Sequence, residues 1–263
     1  MPADPAIPQP ARVAVVAAVP ALEPAAGDLA RRLGLPLLAV EAWRAGAGGG
    51  VVLWWDDEGL ALRGPAASRA RPVRPLPPAP ARAGHDPLLR AVGRWSEVID
   101  ATAGMGGDAG TLTAAGRQVT LVERNPVLAA VLEDALRRWR DGGVVGAVRM
   151  RLVVADARAF LISARADVVF LDPMYPDRIG GGRIRARKRA HVRKAEAPHL
   201  LRLLAGDDGD QAELLSLARR AARHRVVVKR PRHAAPLAGR PPNGALPGRT
   251  VRYDLYAPEE VDP

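Results

Sequence analysis

The tetrapeptide Asp172-Pro173-Met174-Tyr175 follows the apolar run Val168-Val169-Phe170-Leu171 and joins a carboxylate, a rigid turn and an aromatic ring. That combination suits a planar amine whose delocalised lone pair must be aimed at an electrophile rather than deprotonated first. Asp172 can accept one N–H of such an amine and the Pro173 carbonyl the other, while Pro173 has no N–H of its own to compete. Tyr175 offers a face on which a flipped-out or single-stranded base can stack, a contact worth about 1–3 kcal/mol. Asp-Pro alone is an ordinary way to begin a turn. Its place after a buried-strand pattern, downstream of a glycine-rich turn, gives it chemical meaning.

That earlier turn is Ala103-Gly104-Met105-Gly106-Gly107, which follows Val98-Ile99-Asp100 and precedes a helical pattern. Glycines there let the backbone approach a ligand closely. The full dinucleotide pattern fails because Ala109 holds its third glycine position, so a cofactor without phosphates is favoured. Glu123 closes Val119-Thr120-Leu121-Val122 and lies 19 residues beyond Gly104, close to the roughly 20 at which an acid meets ribose hydroxyls. Asp156, after the next strand pattern, reads equally as an acceptor for an adenine amine and as a helix N-cap. Asp100 and Asp108 flank the glycine turn, where either can meet a ligand ammonium; Asp108, at the head of the helical pattern, favours capping. Together these features suggest S-adenosylmethionine (SAM) as cofactor and an exocyclic base amine as methyl acceptor.

The elements that must hold these residues alternate regularly. Strand patterns at 98–100, 119–123, 149–154, 167–171 and 225–229 are separated by helical patterns at 108–115, 126–139, 157–163 and 211–222, and 250–256 reads as a last strand. Strands and helices in this order imply a doubly wound, mostly parallel sheet, whose ligands sit beyond the carboxyl ends of the strands. Ahead of it, strand patterns at 13–19, 37–40 and 51–55, a helical pattern at 22–33 and a glycine turn at 46–50 predict a small α/β lobe over residues 1–63. Residues 64–94 hold Pro65, Pro72, Pro75, Pro77, Pro78, Pro80 and Pro87 among arginines, with Asp86 as the only acid. So many missing donors and fixed φ angles predict a linker without helix or central strand, or a basic arm that tracks phosphates. The main domain is expected over 95–257.

Composition sets limits on this reading. The 263 residues carry 39 Lys+Arg against 28 Asp+Glu, a net charge of +11, which attracts polyanions. Cysteine is absent, which removes disulfides and thiolate chemistry, and the five histidines (His85, His191, His199, His224, His233) have no metal-ligand spacing, so no metal is expected. The first twenty residues are broken by prolines and lack a basic start, which argues against a signal peptide, and no run suffices to span a membrane. The chain therefore reads as cytoplasmic.

Four runs occur in an order that resembles one known family: Asp100-Ala101-Thr102-Ala103-Gly104, Glu123-Arg124-Asn125-Pro126, Leu171-Asp172-Pro173-Met174-Tyr175-Pro176 and Val226-Val227-Val228-Lys229-Arg230-Pro231. They look like the signatures of the RsmJ family, class I SAM-dependent methyltransferases of the exocyclic N2 of a guanine in 16S ribosomal RNA. The similarity runs from about Trp95 to Tyr256 and includes the closing Arg252-Tyr253-Asp254-Leu255-Tyr256. It implies a Rossmann-like class I methyltransferase sheet with an antiparallel last strand. Carried over by position, the SAM contacts are Gly107 with Asp108, Glu123 with Arg124, Asp156 with Ala157, and Asp172; Gly104 and Gly106 belong to the same turn. The chain departs from the family at Gly107, where members usually have Arg, and in the segments before the first strand and after Tyr175.

The segment after Tyr175 is strongly basic. Residues 178–194 hold eight Lys or Arg and no acid, among them Arg183, Arg185, Arg187, Lys188 and Arg189. Adjacency to the methyl-acceptor turn predicts a phosphate clamp that lays the target base over the site, with Lys229 and Arg230 extending the surface. The expected partner is 16S ribosomal RNA or the small ribosomal subunit. Two alternatives stay open on sequence alone: an amine of another RNA or of DNA as acceptor, and a ribosome-assembly factor that keeps the fold without catalysis.

Overall fold

Successive side chains of a strand face opposite sides of its sheet, and the apolar runs here are sorted in that way. Val98, Val168, Phe170 and Val227 lie in one buried cluster, whereas Ile99, Val169, Leu171, Val226 and Val228 lie in another. Runs that are apolar at every position therefore make a sheet covered on both faces. The computed structural model describes residues 13–48, 50–68, 70–79, 86–173, 199–204 and 210–259. These divide into two compact units: residues up to Arg74 with 199–204, and Pro75–Pro173 with residues 210–259.

The second unit contains α3 (Pro87–Val92), β5 (Glu97–Asp100), α4 (Gly107–Ala114), β6 (Gln118–Glu123), α5 (Pro126–Asp141) and β7 (Met150–Val154), then α6 (Ala157–Ser163), β8 (Ala166–Leu171), α7 (Gln211–Ala221), β9 (Ala222–Pro231), β10 (Gly244–Pro247) and β11 (Val251–Tyr256). Its seven strands run in the order β10-β11-β9-β8-β5-β6-β7. β5 pairs parallel with β6 and β8, β6 with β7 and β8 with β9, while β11 is antiparallel to β9 and β10. This is the expected doubly wound sheet with an antiparallel last strand. The side chains of α3, α4 and α5 cover one face, and those of α6 and α7 the other. The order switches at β5, so Asp100, Glu123 and Asp172 emerge at the carboxyl ends of three adjacent strands, where such sheets bind ligands.

Local chemistry fixes the helix starts. Asn125 caps α5 by accepting from Val127 and Leu128 N–H at 2.9 and 3.2 Å, with Pro126 at the first helical position. Asp86 caps α3 in the same manner, and Pro87 opens it. α3 thus lies inside the stretch 64–94, where proline density predicts no helix. A proline at the first helical position gives up an N–H that would have had no partner there, and the apolar Leu88, Ala91 and Val92 bury the new helix.

The first unit has β1 (Ala14–Ala17), α1 (Glu23–Leu33), β2 (Leu37–Leu38), α2 (Val40–Arg44), β3 (Val52–Asp56) and β4 (Gly59–Arg63), with sheet order β2-β1-β3-β4. α2 and β4 add to the elements expected there, and residues 37–40 are strand only at Leu37–Leu38. Trp43 and Trp54 meet at 5.0 Å, and the Arg63 guanidinium stands 4.5 and 4.4 Å from their ring centres. Among the described residues no helix is long and apolar enough to cross a membrane.

Candidate active site

The glycine turn leaves β5 through two left-handed residues, Gly104 (φ 51°) and Gly106 (φ 69°), a conformation in which a Cβ is strained. A Cβ at Gly106 would come to 3.1 Å from Leu132 Cδ1, whereas one at Gly107 would meet nothing within 4 Å. The turn is therefore packed from below and open above its helical end. Glu123 ties it to the neighbouring strand: Oε2 accepts from Gly104 N–H and Oε1 from Asn125 N–H, each at 2.8 Å. Each oxygen keeps acceptor capacity for a vicinal hydroxyl. Burial raises the Glu123 carboxyl above the usual range, opposed by those backbone donors.

Beside it, Asp172 N–H donates to Thr102 Oγ1 at 2.6 Å, fixing the Asp172-Pro173 turn over the glycine turn. Asp172 Oδ2 lies 3.0 Å from Lys229 Nζ, which also donates to Asp108 Oδ2 at 2.7 Å. Asp100 is 2% exposed and, among the described residues, accepts only from Thr102 N–H at 3.2 Å. Burial, reinforced by Asp108, pushes the Asp100 carboxyl up to about 8. Burial also raises Asp172, and Lys229 is the largest influence opposing it. For Lys229 burial would lower the ammonium, but Asp172 and Asp108 outweigh it and hold the group above its usual range. The Asp108 and Asp172 carboxylates share one ammonium, leaving a negative surplus beside a buried Asp100. Such a donor set fits SAM, which carries an ammonium and a sulfonium and no phosphate.

The third strand end is organised differently. Asp156 caps α6 through Arg158 N–H (2.8 Å), and the Arg158 guanidinium grips the same carboxylate at 3.1 and 2.7 Å. That grip holds the Asp156 carboxyl below its usual range. Arg158 further meets Asp210 and Glu213, each at 3.2 Å, and Arg124 meets Asp210 at 3.2 Å. Asp156 is thus a cap, held at the rim with Ala157 as the first residue of the helix.

Of the residues singled out from sequence, Gly104, Gly106, Gly107, Asp108, Glu123 and Asp172 come together, with Arg124, Asp156 and Ala157 at the ends of the adjoining strands; Pro173 follows Asp172 and is buried. Asp108 does not cap α4, whose N-cap is Gly106; its carboxylate is turned to Lys229. Lys229 and Arg230 do not form one surface. Strand alternation sends Lys229 to the α4 face and buries Arg230 on the other, 4% exposed, with its guanidinium on the Ala235 carbonyl at 2.9 Å. Tyr175 and the run Arg183, Arg185, Arg187, Lys188 and Arg189 lie outside the described residues. Thr102 and Asp210 were not legible as site residues, since each acts through a partner distant in sequence, and Arg158 carries no sequence signal that ties it to Asp156 two residues before it.

Comparison with known proteins agrees with this architecture. A family model described as "Putative SAM-dependent methyltransferase" matches residues 81–258. The ribosomal RNA small subunit methyltransferase J of Thioalkalivibrio sulfidiphilus is 40% identical over 264 residues, covering 93% of this chain and 97% of the relative. Its namesake in Alkalilimnicola ehrlichii is 41% identical over 249 residues, covering 88% and 90%. Among solved structures, a SAM-dependent methyltransferase of Neisseria gonorrhoeae is similar with a TM-score of 0.65 and 27% identity, covering 94% of this chain and 97% of that one.

Proposed function

Because this chain belongs to the ribosomal RNA small subunit methyltransferase J family of SAM-dependent methyltransferases, we propose that it methylates the exocyclic N2 of a guanine in 16S ribosomal RNA, in the cytoplasm. The observation that carries the reading is the double hold on Asp172, by Thr102 on its backbone and Lys229 on Oδ2. Among the described residues this leaves Oδ1 to the substrate.

SAM supplies an electrophilic methyl group on its sulfonium. Glu123 accepts the ribose hydroxyls, and the backbone at Gly104, Gly106 and Gly107 allows close approach over the turn. Asp108 meets the ammonium. Asp156, with Arg124 and Ala157 beside it, borders the adenine. Asp172 and the Pro173 carbonyl accept the two N–H bonds of the guanine amine, so that its lone pair faces the methyl group. The proton shed by the alkylated nitrogen has its acceptor in the same Asp172 carboxylate. Tyr175 stacks on the base, and the basic run from Arg183 to Arg189 holds flanking phosphates.

Mass-spectrometric mapping of 16S ribosomal RNA, from cells with and without the protein, tests the target. A methyl-acceptor assay with small subunits, naked RNA and DNA tests the substrate class. Methylation of DNA in preference to both RNA forms, or an unchanged set of methylated guanines, would overturn the proposal.

A further inference from the structure

Lys229 is a cation at the floor of a site where the substrate's own cations are expected. Alternation along β9 places it on the face of Val227, toward α4, and its ammonium bridges Asp108 and Asp172 at 2.7 and 3.0 Å. Its side chain is only 23% exposed, so solvent screens this bridge incompletely. Both partners are carboxylates and outnumber the one ammonium, so an RNA phosphate approaching Lys229 meets net negative charge.

We infer that Lys229 is a positioning residue for methyl transfer: it clamps Asp172 to Asp108, holding Asp172 charged with its second oxygen turned to the substrate amine. This rests on the role given to Asp172 above. Groups around the Asp172 carboxylate come from each neighbouring element: Asp100 from β5, Asp108 from α4 and Lys229 from β9, with Arg230 acting more weakly from the opposite face of β9, and Tyr253 of β11 and Asp86 at the head of α3 on the far side of the same cluster. Lys229 supplies the largest opposition to the burial that favours protonated Asp172. Without it, the Asp108 and Asp172 carboxylates confront one another. An opposite charge at this distance lowers a carboxyl by about 1–3 units. Its loss therefore raises the pH below which Asp172 is protonated and unable to accept the amine.

The test is single-turnover methylation of 16S ribosomal RNA at saturating SAM across pH 6 to 10. It compares the wild type with Lys229→Met, Lys229→Arg, Asp172→Asn and the double variant Lys229→Met/Asp108→Asn. Lys229→Met is expected to lose up to about 10-fold at neutral pH and to regain it at alkaline pH, its acidic limb displaced upward by about one unit or more. Lys229→Arg keeps the charge and the wild-type limb. The double variant, which removes one charge of each sign, moves the limb part of the way and serves the comparison alone if Lys229→Met does not fold. An acidic limb at the wild-type pH in both Met variants overturns the inference. Full activity in Asp172→Asn instead overturns the reading of the site, whatever Lys229 does.

Discussion

Asp100→Asn should make the protein's stability markedly less sensitive to pH. In the unfolded chain the Asp100 carboxyl titrates near 3.8, and in the folded protein it is pushed up to about 8, first by burial and then by Asp108. Between those limits the folded state holds a proton that the unfolded state has released. Stability associated with Asp100 is therefore complete below the lower limit and is lost as pH rises through the upper one. The slope is about 1.4 kcal/mol per pH unit for one proton. From pH 5 to 7 that amounts to about 3 kcal/mol as a ceiling, since a buried carboxyl relaxes its surroundings when it ionises. At roughly 2–4 °C per kcal/mol for a protein of this size, the difference in Tm between variant and wild type should widen by about 5–10 °C over that interval. Asparagine retains the acceptor for Thr102 N–H (3.2 Å from Asp100 Oδ1) and has no charge to bury. Differential scanning calorimetry of both proteins without SAM gives the two curves. Parallel dependence of Tm on pH would refute the assignment of a protonated Asp100 at neutral pH.

Glu123→Gln should weaken SAM binding by about 10- to 100-fold in calorimetry, because a charge-assisted hydrogen bond is worth about 1.5–3 kcal/mol and the amide group must also face one of the N–H donors now at 2.8 Å. Gly106→Ala places a Cβ at φ 69° and 3.1 Å from Leu132 Cδ1; chemical denaturation should show a loss of about 1–2 kcal/mol. Replacing Arg185, Arg187 and Lys188 by Gln should weaken RNA binding and flatten its dependence on salt. SAM affinity, measured in the same preparations, should stay unchanged.

The sheet could be read from the sequence because its central strands carry short apolar runs (Val98-Ile99, Leu121-Val122, Val168-Val169-Phe170-Leu171), each leading into an acid, so that pattern and strand end coincide at Asp100, Glu123 and Asp172. The additional elements had weaker signals. β10 is a largely exposed edge strand, Gly-Ala-Leu-Pro, with no alternation to detect. α3 is hidden in the sequence because a proline-rich stretch reads as a breaker, whereas Pro87 stands at the first helical position. Lys229 and Arg230 stand side by side in sequence as one basic patch, but residues adjacent in a strand face opposite ways, and the strand period separates them. The tie from Lys229 to Asp108 spans 121 residues of sequence, and no local pattern announces a contact at that range.

The placement of β11 has a consequence for synthesis. It is made after β9 and β10 yet lies between them, and among the described residues β10 pairs with no other strand. A nascent chain that has emerged as far as β10 thus exposes the outer edge of β9 and an orphan strand until translation delivers Val251–Tyr256. Unpaired edges of this kind invite association with other chains. Losing the β11 hexapeptide would strip two strands from the sheet and also withdraw Tyr253 from the cluster that contains Val227 and Phe170.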